Sequence, residues 1–437
     1  MIETLDLHSF AEYSEEGDGD MGTCLISGIM MRLALQQAYH RDPSHHPNIS
    51  IFQGEMRRRV WSAISQHELL FSVQLGLPKA IRYAEADTEP PRNLYEEELY
   101  EDMTELPPSR PLTEDTEVSY QVVKWQIMRA FGRVIEFLNI IEPQPYEEVL
   151  KLDLVLLEAR TVVPPHLQLG TLEDMKSNTP SRVVEKYILD IFYHKAVCVL
   201  HRKYWNAVPK DTSKTTWYYS RKTCVSSALA LLGHQVTMHQ ACAPGGCMLP
   251  LKWYHFSITN HDFLLAAMIL CLDVMNNLHE RGETAPDCIV SDSDKIDAIK
   301  SSCTIWTEIV DDCRDAKRAV KILTSVLQKI AAKTEQRKNV VSPSNDNMPA
   351  KQVLITTVSV EMIPKTPFFL DGLEFGIPTM NNQTSQSGSS YSQASPDDGI
   401  LFQDSSLDNM GSDLSIPADF NWVRRAQLGF WWCLTSS

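Results

Sequence analysis

Gly22-Thr23-Cys24-Leu25-Ile26-Ser27-Gly28-Ile29-Met30-Met31-Arg32-Leu33-Ala34-Leu35, followed by His40-Arg41-Asp42-Pro43 and then by Glu55-Met56-Arg57-Arg58-Arg59-Val60-Trp61, joins two helix signatures and a cationic triplet in one stretch. Ile26, Met30, Leu33 and Gln37 recur at steps of four, three and four. That spacing predicts a helix with these apolar side chains on its buried face, ended by Asp42-Pro43. Ser50-Ile51-Phe52-Gln53 has the form of a capping box and predicts a second helix. Met56, Val60, Ala63, Ile64, His67, Leu70 and Phe71 would be its inner stripe. Arg57, Arg58 and Arg59 splay over about 200° of that helix, so at least one lies near a packed face. They are expected to snorkel or to pair with acids such as Glu55 and Glu68, since nuclear-import and nucleic-acid patches need longer basic runs.

The same kind of periodicity continues downstream. Residues 93–111 alternate acids with Pro107 and Pro108 and are expected to form a solvated connector. Thr113 is expected to open a strong helix with Glu114, Asp115 and Glu117 in its first turn, where they favour the positive end of the dipole. Val123, Ile127, Phe131, Val134, Leu138 and Ile141 would be its core face. Tyr146 to Arg160 is a shorter helix stopped by Pro164-Pro165. Val184, Ile188, Ile191 and Cys198 mark the next, which ends near His201-Arg202-Lys203, cations suited to a helix C-terminus. Tyr218 to His239 and Phe256 to His279 follow; the run Phe263 to Leu272 is apolar almost all round and predicts the central helix of a bundle. Asp292 or Ser293 would cap one last helix of some forty residues, with a stripe from Ile299 through Cys303, Trp306, Val310, Cys313, Val320, Leu323 and Leu327 to Ile330. No alternating strand pattern precedes residue 335. The predicted fold class is all-α, a multi-helix bundle.

The order of Arg32-Leu33-Ala34, His40-Arg41-Asp42-Pro43, Glu55 to Trp61, Gly76-Leu77-Pro78 and Pro90-Pro91 resembles the central regulatory domain of fungal zinc binuclear cluster transcription factors. Leu200-His201-Arg202-Lys203-Tyr204-Trp205, Ser220-Arg221-Lys222-Thr223-Cys224 and Ala266 to Asp273 continue the resemblance in the family's order. The sequence departs from the family's pattern at Tyr39, Ser62, Glu68 and Leu77. The resemblance implies a nuclear transcription regulator of a metabolic or secondary-metabolite biosynthetic gene set. The family's DNA-binding type of zinc cluster needs six closely spaced thiolates. The ten cysteines here are spread singly, with no Cys-x-x-Cys, and Cys242 and Cys247 span a plain turn. The chain is therefore expected to start part-way into the family's domain and to reach DNA only through a partner or a missing module.

Charge and composition agree. A formal net charge of −16 over 437 residues argues against DNA binding by a bulk basic field. No run approaches eighteen uninterrupted apolar residues, so no membrane span is expected. Residues 1–20 form an acidic leader expected to have little order, 21–334 the helical regulatory domain, and 335–437 a low-complexity acidic tail. In the tail, Phe368-Phe369-Leu370-Asp371, Ile400-Leu401-Phe402-Gln403-Asp404 and Asp419-Phe420-Asn421-Trp422 set apolar groups among acids. That composition suits an activation segment contacting transcription machinery or co-regulators, and the bundle itself suits a homo- or heterodimer.

Two other classes match parts of the sequence. Asp311-Asp312-Cys313-Arg314-Asp315 could hold magnesium in a terpenoid-synthase-like enzyme, but no second metal-binding helix follows it, and helix-surface pairing explains the charges. A sensor that restrains a full-length relative without touching DNA is the other. His40, His45 and His46 with Asp42 fall in a Pro-broken loop expected to be solvated; His234 and His239 lie off a common face. No phosphate loop, Gly-x-Ser-x-Gly elbow or His-Glu-x-x-His occurs. The sequence nominates no catalytic, cofactor-binding, metal or DNA-binding residue.

Overall fold

Ten α-helices and no strand occur among the residues described by the computed structural model: 19–205, 214–251, 260–279, 290–310 and 314–340. The acidic leader up to residue 18 and the tail beyond 340 lie outside them, as does the Asp311-Asp312-Cys313 segment.

Helices α1 (Gly19–Gln36) and α2 (Ile51–Leu75) pack as a pair at the N-terminal end. Their buried faces differ from the predicted ones. In α1, Ile26, Met30 and Leu33 are exposed, while Ser27, Met31 and Ala34 are buried. The packed stripe is the neighbouring one, turned by a single residue or about 100°. The reason is steric. Small Ser27 and Ala34 let the helix approach closely, and Met31 and Ala34 join Trp61 of α2 and Ile81 in one core cluster. In α2 only Phe71 of the expected stripe is fully buried; Glu55, Trp61, Ser62, Gln66, Glu68, Leu69 and Ser72 take the inner face. Several of its polar members pair with one another along the helix. Gln66 Nε2 donates to Ser62 Oγ (2.8 Å), and Ser72 Oγ donates to Glu68 Oε1 (2.7 Å). Ser50 does cap α2, its Oγ accepting from Gln53 N at 3.2 Å, and Gly76 at φ 67° closes it in the left-handed conformation.

Helix α3 (Ser119–Leu138) starts six residues later than Thr113, the start expected from sequence. Thr116 is the cause: its Oγ1 accepts from the amides of Val118 and Ser119 and donates to the buried Oδ1 of Asn93. Asn93 in turn donates from Nδ2 to the Arg110 and Pro111 carbonyls, so the 93–111 connector is pinned and partly buried, not simply solvated. At its other end α3 stops before Ile141, which is exposed.

Helices α4 (Tyr146–Thr161), α5 (Leu172–Met175), α6 (Pro180–Trp205) and α7 (Lys214–Ala241) follow. Val184, Ile188, Ile191, Cys198, Cys224, Ala228, Leu231 and Leu232 are all buried, as their spacing predicts. The α6–α7 contact is the most extensive, and α6 also meets α3, α4 and α8. The centre is thus the α6–α7 pair rather than α8 alone.

Helix α8 (Asn260–His279) packs on α7, α9 and α10. By length and composition it is the one described helix that could cross a membrane, yet 56 % of that window is buried within the bundle. Asp262 and Asp273 on it are paired with Lys195 and Arg221, the arrangement of a core helix. The predicted forty-residue final helix is two: α9 (Asp292–Glu308), capped by Ser291, and α10 (Arg314–Val340). They pack on each other, and Cys303 Sγ lies 3.8 Å from Thr324 Oγ1. One apolar stripe can serve either a long helix or two that fold back; folding back buries Trp306, Ile309, Ala319 and Leu323 together.

Candidate functional site

The N-terminal pair presents the feature most open to a partner. Leu25, Ile26, Ile29, Met30 and Leu33 of α1 are exposed, Leu25 and Ile29 to 62 % and 60 %. Ile26, Ile29, Met30 and Leu33 fall at i, i+3, i+4 and i+7, a narrow stripe of the kind that seats against another helix. Scattered exposed apolar residues are ordinary, but five on one face of one helix are not.

What holds that face in place is a charged hub in the loop between α1 and α2. Asp42, expected in a solvated loop, is buried and receives four donors. Arg58 donates from Nε to Oδ2 (2.9 Å) and from Nη2 to Oδ1 (2.8 Å), and the Ser44 and Glu89 amides complete the set. Burial alone would raise the Asp42 carboxyl; the Arg58 fork and the amides outweigh it and hold the group well below the ordinary carboxylate range. Glu55 is fully buried beside Arg58 and Arg59, at 3.8 Å and 3.5 Å, and burial raises its pKa despite both cations. Arg59 also reaches Glu96 (2.8 Å), while Arg57 lies over the Tyr39 ring (4.1 Å) and donates to the Gln37 carbonyl. All three arginines of the triplet are therefore used internally. Glu55 is a partner as expected; Glu68 instead accepts from Ser72 and the Ala80 amide.

Trp61 and Ile81, which floor α1, also border a cleft of about 180 Å³ shared with Lys79, Tyr83, Trp125 and Arg129. Lys79 Nζ sits 3.6 Å over the Tyr83 ring and 2.9 Å from Glu136 Oε1; burial lowers its pKa, and Glu136 opposes that. The lining mixes aromatic rings with paired charges.

The remaining signature residues meet deeper in the bundle. Arg221 of α7 donates from Nε to Asp273 Oδ1 (2.6 Å), and Lys295 of α9 donates to Asp273 Oδ2 (2.7 Å). His201 Nδ1 lies 3.0 Å from Ser220 Oγ, which Tyr146 also reaches (2.7 Å). His201, at the end of α6, is thus a buried partner and not an exposed terminal cation. Cys242 is buried and Cys247 half-buried around Gly245 at φ 83°, the turn predicted for them.

Comparison with known proteins places this arrangement. Residues 4–157 match the Fungal specific transcription factor domain. The Zn(2)-C6 fungal-type transcription factor mpsB of Macrophomina phaseolina (strain MS6) is 34 % identical over 349 residues, 79 % of this chain and 46 % of the relative. The Zn(2)-C6 fungal-type transcription factor pigI of Monascus ruber is 37 % identical over 324 residues, 74 % of this chain and 40 % of the relative. The Equisetin cluster transcription factor eqxF of Fusarium heterosporum is 33 % identical over 335 residues, 76 % and 47 % respectively. The chain therefore spans about half the length of these curated relatives. No solved structure matches it.

Proposed function

The chain belongs to the fungal-specific transcription factor domain family, and on that premise we propose that it regulates a secondary-metabolite gene cluster in the nucleus through protein–protein contacts. Relatives such as eqxF and the Fusarisetin A cluster transcription factor are named for single biosynthetic clusters, which supports the role without identifying the product. In this reading residues 21–334 are the regulatory domain and 335–437 the activation segment.

The observation that carries the contact mechanism is the apolar stripe of α1, braced from behind by the Met31–Ala34–Trp61 cluster and the Asp42–Arg58 hub. An exposed stripe on a rigid mount meets another helix without a large ordering cost. Its expected occupant is an apolar helix of a related chain, giving a homo- or heterodimer. The internal pairing of Arg57, Arg58 and Arg59 leaves that triplet unsuited to reading phosphate by itself.

The test is genetic and then structural. Deleting the gene in the host fungus should silence one biosynthetic cluster. Restoring it as Ile29→Glu/Leu33→Glu should leave the far-ultraviolet circular dichroism of the purified chain unchanged while cluster transcripts stay well below the parent level. Full transcript recovery by the double variant would remove the α1 face from the mechanism. Unchanged transcripts after deletion would remove the regulator role itself.

A further inference from the structure

One ligand-bearing cluster is used neither by the α1 face nor by the Asp42 hub. On α6, Asp190 and His194 stand one turn apart, and His234 comes across from α7. His234 Nε2 is 2.7 Å from Asp190 Oδ2, and His194 Nε2 is 3.4 Å from the same oxygen. The three potential ligand atoms lie within 4.8 Å of one another.

Those separations are close to what a common ion requires. Ligand atoms about 2.0–2.2 Å from a tetrahedral metal lie roughly 3.3–3.5 Å from each other, so the trio needs only adjustments of an ångström or so. Arg160 occupies the other carboxylate oxygen, donating to Oδ1 at 2.9 Å, which leaves Oδ2 for single-atom ligation. Arg160 is 42 % exposed, so its positive charge is largely screened by water.

His194 is nine-tenths buried, and its Nδ1 has no hydrogen-bond partner.

We infer that Asp190, His194 and His234 form a site for one divalent transition cation of the zinc class, clamping α6 to α7 at the centre of the bundle. Two imidazoles and one carboxylate are donors that zinc and cobalt favour and that calcium and magnesium do not. Because α6 and α7 carry contacts to α3, α4, α8 and α9, a clamp there ties metal supply to the stability of the whole regulatory unit.

The test uses the full chain, stripped with a chelator and titrated with Zn²⁺ by calorimetry and with Co²⁺ by visible absorption. One equivalent should bind with Kd at or below about 1 μM and should raise the melting temperature. The Co²⁺ spectrum should show tetrahedral d–d bands without the near-ultraviolet thiolate charge-transfer band that the chain's cysteines would produce. His234→Gln and Asp190→Asn, which keep polar groups in place, should each weaken binding at least about tenfold while circular dichroism stays native. His194→Gln supplies a third variant should either of these fail to fold. Retention of the same equivalent in the folded variants, a thiolate band, or binding only at millimolar Zn²⁺ overturns the site.

Discussion

Asp42 shows how much one side chain decides. Its carboxylate gathers the Arg58 fork and two amides in a loop where the sequence shows only a histidine-flanked Asp-Pro. Asp-Pro was legible as a helix stop because proline cannot continue a helix. The buried hub was not legible, since Arg58 and Glu89 reach Asp42 from 16 and 47 residues away. With its folded pKa far below the ordinary 3.8, Asp42 contributes stability that is fully present above that value and is lost as pH falls below it. Asp42→Asn should cost about 3 kcal/mol at neutral pH, because it leaves Arg58 with only the more distant charges of Glu55 and Glu89. Urea midpoints measured from about pH 7 down to pH 3 should fall less steeply for the variant than for the parent. Equal acid slopes would mean that Asp42 keeps an ordinary pKa. Asp190 and His194, one turn apart, carry nothing that singles them out along the sequence, and His234, which meets them, comes from another helix and is invisible to spacing along one element.

Period locates the helices and the faces of α6 and α7, but it misplaces the faces of α1 and α2. In α1 two adjacent stripes are both rich in apolar residues, so periodicity cannot choose between them; the small side chains of Ser27 and Ala34 make the choice by allowing close approach. The outer stripe stays exposed. In α2 the buried face is polar, and a hydrophobicity rule looks for it on the wrong side; amides of the 79–92 loop, with Arg58, Arg59 and Ser72 of α2 itself, make burial of Glu55 and Glu68 tolerable. Gly132 in α3 illustrates a contact that no propensity scale reveals. A Cβ there would lie 2.5 Å from the Tyr83 hydroxyl and 2.6 Å from its ring. Tyr83 is held by its own bond to the Met128 carbonyl and by Lys79 over its face, so it has little room to yield. Gly132→Ala gains about 1 kcal/mol of helix propensity and loses about 1–3 kcal/mol to overpacking, so net destabilisation is expected by thermal melting. In a Tyr83→Leu background the same change should become neutral or stabilising. A gain in the parent background would show that Tyr83 moves aside.

At the scale of the whole molecule, charge is buried where helices from distant parts of the chain converge. Asp273 of α8 joins Arg221 of α7 and Lys295 of α9, three helices tied through one carboxylate. Burial would raise Asp273, but Arg221 and Lys295 outweigh it and keep it ionised. Asp273→Leu removes the buried carboxylate that Arg221 and Lys295 share, leaving them Asn277 and the half-exposed Asp292, and should lower stability by about 3 kcal/mol, read as a drop in the urea midpoint of the bundle. An unchanged midpoint would mean that both cations reach water in the variant. By itself the sequence determined that the chain is helical, where most helices lie, that the Arg57–Arg59 triplet is internal, and which family's blocks it carries, because these properties are written in local period, capping chemistry and residue order. The tertiary structure alone decided which stripe of α1 faces inward, that the final helix is two, that Asp42 is a hub, and that Asp190 and His194 meet His234. Each of those depends on side chains brought together from separate helices, and a pattern read along one segment holds no information about what another segment places against it.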